Sequence, residues 1–205
     1  MAIVDHLVYR VPDLNRGGAF ISALTGVSPT RGGPHPGAGT HNSLLSLGPE
    51  TYLEIIATDP DQADHTGPRP FGVDPDASQQ LVTFAVHPGP GESLAGVAAV
   101  MAELGFDPGP SRSMSRVTPA GQTLTWTLTS APQGPVPFVI DWGATTNPAG
   151  TSPGGCSLVE LHCCWPEPGR LQELHQALSI NSQVLRGEPA VFAVIDTPHG
   201  RVDIR

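Results

Sequence analysis

Apolar and polar positions alternate in short runs along this chain, which is the pattern of strands with one buried face. Residues 3–11 are rich in Ile, Val, Leu and Tyr, and they predict a first strand. Between residues 14 and 26 the apolar positions recur at helical spacing and end at a glycine, so a helix follows. The next stretches predict a Gly- and Pro-rich loop and then two strands, at 31–39, 40–47 and 51–57.

The same order of elements returns further along the chain. A strand is predicted at 81–86 and a helix from about 92 to 104, and the clean alternation over 123–129 is typical of a half-buried strand. A third and shorter copy opens with a strand at 158–164. We therefore predict a first βαβββ unit at residues 1–58 and a second βαβββ unit at residues 80–143. A C-terminal half-unit at residues 157–205 should pack on the same domain, and linkers are predicted at 59–79 and 144–155.

This order of elements predicts an α+β fold. Tandem βαβββ units would form one curved mixed sheet around a cleft, with the shortened third unit beside it. The regular alternation of strand and helix that marks a doubly wound parallel sheet is missing, so a Rossmann-type nucleotide site is not expected.

Composition narrows the expected partners. The 205 residues carry a net charge of −9 and contain no basic run, which argues against nucleic acid and anionic membranes. The apolar runs are too short to span a bilayer and the N-terminus lacks a signal-peptide pattern, so we expect a cytoplasmic protein. Three cysteines give no disulfide framework. The expected partner is a small-molecule substrate or ligand, and a homodimer stays open.

Four segments of the chain resemble a known family. They are Asp5–Leu14, Gly32–Asn42, Tyr52–Ala57 and Pro137–Gly143. Together with the repeated unit they are similar to the vicinal oxygen chelate superfamily, and within it to the glyoxalase-like domain proteins of the glyoxalase, bleomycin resistance and dioxygenase fold. The resemblance covers most of the chain and implies the fold more specifically than the reaction.

The resemblance implies a metal site made from the first and last strands of each unit. His6 and Glu54 match the first pair, and Asp141 lies on the closing strand of unit two, where Glu54 lies in unit one. Matching Pro12 to Pro88 puts Val82 opposite His6, so the family's four-ligand set is incomplete. One imidazole with two carboxylates would suit Mn²⁺, Fe²⁺, Zn²⁺ or Ni²⁺. The alternative is that His6 and Glu54 only bond to each other across the cleft.

Two further histidines are candidates for chemistry. His41 begins the strand predicted beside Glu54 and is a replacement ligand or the proton-transfer group, so His41 and Glu54 are the predicted catalytic residues. If His41 faces the cleft, its neighbours Thr40 and Asn42 face away; the alternative is that His41 lies at the strand end on the outer face. His35, in a loop stiffened by flanking prolines, is a predicted substrate contact.

Arg116 and Trp126 are predicted to contact the substrate, since a cation beside an aromatic wall suits an anionic ligand. The alternative for Trp126 is a place in the hydrophobic core. No Gly-x-Ser-x-Gly motif is present, so acyl transfer has no support. The leading hypothesis is a metal-assisted lyase, isomerase or dioxygenase acting on a small oxygenated metabolite. The alternative hypothesis is a metal-free protein of the same fold that binds or sequesters a small molecule.

Overall fold

The structure is a computed structural model that describes residues 1–130 and 134–205. Its first part runs strand, helix and three strands: β1 (Ala2–Arg10), α1 (Leu14–Thr25), β2 (Thr30–His35), β3 (Thr40–Ser46) and β4 (Tyr52–Thr58). The second part repeats this order in β5 (Gln80–Pro88), α2 (Leu94–Glu103), β6 (Ser111–Val117), β7 (Thr123–Thr129) and β8 (Gly134–Asp141). The C-terminal part comprises β9 (Ser157–Trp165), α3 (Pro168–Ala177), β10 (Gln183–Arg186), β11 (Ala190–Thr197) and β12 (Gly200–Ile204).

The strands of the first two parts form one eight-stranded sheet in the order β2-β3-β4-β1-β5-β8-β7-β6. The two opening strands, β1 and β5, pair antiparallel at its centre, and each pairs in parallel with the closing strand of its own unit. The sheet curves so strongly that its two edge strands approach each other. The contact between them is a hydrogen bond from the Arg116 guanidinium on β6 to the Gly32 carbonyl on β2. The predicted α+β fold with a curved mixed sheet is confirmed.

The C-terminal part forms a sheet of its own, in the order β10-β9-β11-β12. Its first strand pairs in parallel with β10 and antiparallel with β11, so the wiring differs from that of the two larger units. Apolar residues of this small sheet, including Leu161 and Ile195, join the same core as Phe84 and Val139 of the large sheet. Each such buried side chain contributes about 1.5–3 kcal/mol relative to exposure.

Two stretches differ from the sequence-based expectation. The segment predicted as a loop contains strand β2, whose β-bulge lies beside Gly33, where a φ of 130° is open to glycine and strained for other residues. The predicted linker 59–79 covers part of the concave face, where Pro70 and Phe71 line a cavity. Phe71 has a φ of 57°, and the Arg10 guanidinium donates to its carbonyl over 3.2 Å.

The large sheet has two different faces. One carries the main core, which packs against the helices and the small sheet. The concave face carries a second apolar set, which includes Val8, Ile56 and Phe138, and it lines the cleft that the repeat predicted. Within the described residues, no helix is long and apolar enough to cross a membrane.

Candidate functional site

A β-bulge in strand β1 brings two adjacent side chains to one cluster. The pairing of β1 with β5 slips between Val4 and His6, which leaves Asp5 as the extra residue. Successive strand residues normally point to opposite faces, and a bulge changes that direction locally. The Asp5 Oδ1 atom consequently lies 2.6 Å from Nδ1 of His6, and both side chains are buried.

The Asp5 carboxylate is fully buried and collects four donors. Besides His6, its Oδ2 atom accepts from Nδ1 of His87 at 2.8 Å, from the Trp142 indole at 2.9 Å and from the Asn147 amide at 2.9 Å. Burial raises the pKa of Asp5, but the hydrogen bonds from His6 and His87 outweigh it and leave the pKa below its ordinary value. Asp5 is therefore ionised and accepts from Nδ1 of His6, so Nε2 is the unprotonated nitrogen in the neutral form of this ring.

Glu54 on β4 is held in a similar way from its other side. Its Oε1 atom accepts from the Asn42 amide at 2.6 Å, and the same amide nitrogen lies 3.1 Å from Nε2 of His35. The Nδ1 atom of His35 lies 2.9 Å from the Thr40 hydroxyl. Burial lowers the pKa of His35, so its neutral form accepts from Asn42 and donates to Thr40.

These two arrangements leave a pair of free acceptors facing each other. Nε2 of His6 lies 3.8 Å from Oε2 of Glu54, and both residues line the same cavity. The opposite atom of each group is already bonded, to Asp5 and Asn42 respectively. An N–H or O–H of a ligand could approach both acceptors at about 2.8 Å. The pair is suited to accept a proton.

Aromatic rings surround the histidines of the cavity. Tyr52 stacks on His6 with 4.7 Å between ring centroids, and Phe138 approaches the same imidazole edge-on at 5.4 Å. Trp126 meets His35 edge-on at 6.4 Å, and Phe71 covers Phe138 at 5.4 Å. The cavity volume is about 70 Å³. Its size and its wall suit a small molecule with an apolar part.

A family model and one solved structure agree with this architecture. The chain matches the family model described as glyoxalase-like domain over residues 4–179. The chain belongs to this family. A hypothetical protein from Staphylococcus aureus has a similar fold, with 14% identity and a TM-score of 0.61 over 100% of this glyoxalase-like chain and 86% of that chain. Glyoxalase I from Zea mays is 16% identical, with a TM-score of 0.27 over 99% and 92% of the two chains. A comparison with curated proteins gives no match.

The cavity of this glyoxalase-like protein contains five of the residues predicted to form the site. His6, Glu54, His35, Arg116 and Trp126 all line it. Each of the five is at most 8% exposed.

His41 and Asp141 lie elsewhere. Strand β3 alternates, and because Asn42 faces the cavity, the His41 ring lies on the other side of the strand, 3.7 Å from Asp59. Strand β8 turns Phe138 and Ile140 inward, so Asp141 points out of the cavity and accepts from the Gly143 amide at 2.8 Å. Their predicted roles as proton-transfer group and metal ligand have no support from these positions.

The donor set does not fit a resident ion bound by three or more protein ligands. His6 and Glu54 offer two atoms at a separation that two ligands of one divalent ion can have, since each bond would be about 2.0–2.2 Å. The Nε2 atom of His35 already interacts with Asn42. The inward positions of unit two are apolar, at Phe138 and Ile140. Across residues 1–130 and 134–205, no three His, Cys, Asp or Glu side chains come together as such a site.

Sequence reasoning missed Asp5, Asn42 and Tyr52. The chain alternation rule assigns Asp5 and His6 to opposite faces, and only the bulge brings them together. Alternation predicts that Asn42 and His41 point to opposite sides of their strand, but it does not say which of the two faces the cavity. Tyr52 lies two residues before Glu54 on the same strand, and this period-two spacing was the available indication that it faces the cavity.

Proposed function

We propose that this protein is an enzyme that moves a proton on a small, largely apolar oxygenated molecule, as an isomerase or lyase does. The single observation behind this proposal is the free acceptor pair of His6 Nε2 and Glu54 Oε2, 3.8 Å apart in an aromatic cavity. A general base must first lie within hydrogen-bonding distance of the proton that it removes. His6 and Glu54 meet this condition, since both line the space that a ligand would fill.

His6 is the proposed general base. Its Nδ1 proton is held by Asp5, so the lone pair of Nε2 points towards the cavity. The α-carbon C–H of a bound α-hydroxy ketone would lose its proton to Nε2. The electron pair of that bond would form the carbon–carbon double bond of an enediolate, and the π pair of the carbonyl would move onto its oxygen. The imidazolium formed would be stabilised by the Asp5 carboxylate and would return the proton to the former carbonyl carbon, while the hydroxyl proton passes through Glu54 Oε2 to the other oxygen, so that the hydroxyl and carbonyl groups exchange places.

Glu54 and Tyr52 have supporting roles in this proposal. Glu54 would orient a substrate hydroxyl by accepting its hydrogen bond at Oε2. Burial, followed by the charges of Asp5 and Glu54, raises the pKa of Tyr52 well above its ordinary value, so its hydroxyl keeps its proton and can donate to a substrate oxygen. No step is routed through a metal ion, because the donor set does not fit one.

The test follows hydrogen exchange at carbon. Chelator-treated protein would be incubated in D₂O with a panel of small aromatic and aliphatic α-hydroxy ketones, and deuterium incorporation would be followed by ¹H NMR. We expect exchange with the native protein and a loss of at least about a hundredfold in His6→Gln. His162→Gln is the matched control, since this ring lies on the small sheet beside Glu160. Equal rates in native protein and His6→Gln would contradict the proposal, as would a loss confined to His41→Gln.

A ¹⁵N NMR measurement tests the proposed base without any substrate. In neutral His6 the spectrum should show a protonated Nδ1 and an unprotonated Nε2, because Asp5 accepts from Nδ1. The opposite tautomer would remove the lone pair from the cavity and contradict the role of His6 as base.

A binding protein without catalysis is the second candidate function. The apolar wall supports it, since unit two contributes Trp126, Leu128 and Ile140 to the cavity, and its two ionisable lining residues, Arg112 and Arg116, suit binding rather than proton abstraction. Tight binding of a panel compound without exchange or turnover, weakened only modestly by His6→Gln, would favour this function over the enzyme.

A further inference from the structure

We propose that the protein has a second ligand site, which binds the phosphate group of a small organic molecule. It lies in a groove at the junction between the two edge strands of the large sheet, β2 and β6, where Arg116 separates the groove from the cavity and lines both. We call it the edge groove, and its volume is about 520 Å³. Its lining residues are Pro29, Thr30, Arg31, Gly32, Leu44, Arg116, Thr118, Pro119, Ala120, Gln122, Leu124, Thr146, Pro148, Thr151 and Ser152.

The edge groove has an unusual charge for this chain. It contains two arginines, Arg31 and Arg116, and its lining includes neither Asp nor Glu. The whole sequence carries 19 acidic residues against ten basic ones. A region with two positive charges and no carboxylate therefore stands apart from its surroundings, and its potential favours an anion.

Arg116 supplies a buried cation without an ion-pair partner in the described residues. It is 4% exposed, and its guanidinium donates a hydrogen bond to the Gly32 carbonyl. No carboxylate oxygen of residues 1–130 or 134–205 lies within 4.0 Å of its guanidinium nitrogens, unlike Arg201, which pairs with Asp196 at 2.8 Å. A guanidinium has five N–H donors, and the Gly32 carbonyl occupies one group of Arg116, which contributes its charge both to the groove and to the cavity.

Arg31 is oriented but not neutralised. Its guanidinium donates to the neutral Asn15 amide oxygen at 2.5 Å. Asp59 and Asp61 line a neighbouring pocket on the other side of Arg31, but no carboxylate oxygen in the part of the chain that the structure describes lies within 4.0 Å of its guanidinium nitrogens. Arginine binds phosphate through pairs of parallel N–H donors, which gives both charge and direction.

The remaining lining fits the rest of such a ligand. Thr30, Thr118 and Thr146 add hydroxyl donors, and the many oxygens of a phosphate can accept from hydroxyls and guanidinium groups together. Leu44 and Leu124 add apolar surface against which an organic group can pack. The groove is therefore suited to a phosphate group that an organic group can accompany, and the phosphate contacts do not depend on that organic group.

The experiment uses inorganic phosphate as the probe for the phosphate group. Binding is measured by ³¹P NMR line broadening and by calorimetry at constant ionic strength, with chloride as the compensating anion. We expect saturable binding by the native protein, at least tenfold weaker binding by Arg31→Gln, and several-fold weaker binding by Thr30→Val, an exposed position whose change leaves the strand intact.

Arg112→Gln is the matched control, because Arg112 lines the cavity and not the edge groove. It should bind phosphate as the native protein does. Loss of binding in Arg112→Gln with retention in Arg31→Gln would move the anion to the cavity and overturn the proposal, and so would the absence of saturable binding by the native protein. His6→Gln should keep phosphate binding, so this result is independent of the proposed proton transfer.

Discussion

At the scale of single residues, the geometry of the cavity depends on Asp5. This carboxylate is out of contact with solvent, yet it binds one histidine that faces the cavity and another, His87, that is partly exposed at the surface. Burial lowers the pKa of His87, but the hydrogen bond and charge of Asp5 more than compensate, so the pKa is raised. A single buried charge thus holds both rings, and removing it leaves several donors without an acceptor.

Asp5→Asn should be costly for that reason. The new amide offers one acceptor oxygen and brings an N–H group against the existing donors. We expect the free energy of unfolding at pH 7, measured by urea titration, to fall by about 3 kcal/mol. The control is Glu50→Gln, since the Glu50 carboxylate is exposed and 3.9 Å from His87, and it should change stability by less than about 1 kcal/mol. Equal effects of the two changes would mean that Asp5 does not support the cluster.

At the scale of elements, alternation predicted the repeated units and brought His6 and Glu54 to one face. It could not decide which side of β3 faces inward, because Thr40, His41 and Asn42 include polar groups on both sides of the strand. It also could not predict the bulge at Asp5 or the strand β2, since both depend on pairing with neighbouring strands. The edge groove brings Arg31 and Arg116 together only because two edge strands that are distant in the sequence meet, so no local sequence pattern predicts it.

Helix α1 offers a matched pair of glycines. A Cβ added to Gly17 would lie 2.7 Å from both Cγ atoms of Val11, whereas a Cβ at Gly18 meets nothing within 4 Å. Alanine favours the helical backbone over glycine. Gly18→Ala should therefore stabilise the protein by about 0.5–1 kcal/mol, and Gly17→Ala should destabilise it by about 1–3 kcal/mol through overpacking. Thermal unfolding of both variants checks this, and a stabilising Gly17→Ala would show that α1 moves freely away from Val11.

At the scale of the whole molecule, the small C-terminal sheet is joined to the large one by a polar contact inside an apolar core. His175 on α3 is fully buried, and its Nε2 atom donates to the Pro135 carbonyl on β8 at 3.0 Å. Its Nδ1 atom accepts from the Ser182 hydroxyl at 2.6 Å, and Phe84 packs edge-on against the ring. This arrangement needs neutral histidine, because protonated Nδ1 cannot accept from Ser182.

The stability of the whole molecule should therefore depend on pH through His175. Burial lowers its pKa to about 4, below the ordinary value of 6.5. A histidine with a depressed folded-state pKa contributes full stability above pH 6.5 and loses it as the pH falls towards 4, because the unfolded state takes up the proton first. The loss should reach about 3 kcal/mol across this window.

The experiment must separate His175 from the other buried ionisable groups. Asp5 contributes little between pH 6.5 and 4, since its pKa is lowered from 3.8. Urea unfolding from pH 7.5 to 4.5 measures the slope, and His175→Gln should flatten it. The slope that remains combines His35 and His41, whose pKa values burial also lowers, with His87, whose raised pKa acts in the opposite direction. An unchanged slope in His175→Gln would show that another group carries the acid sensitivity.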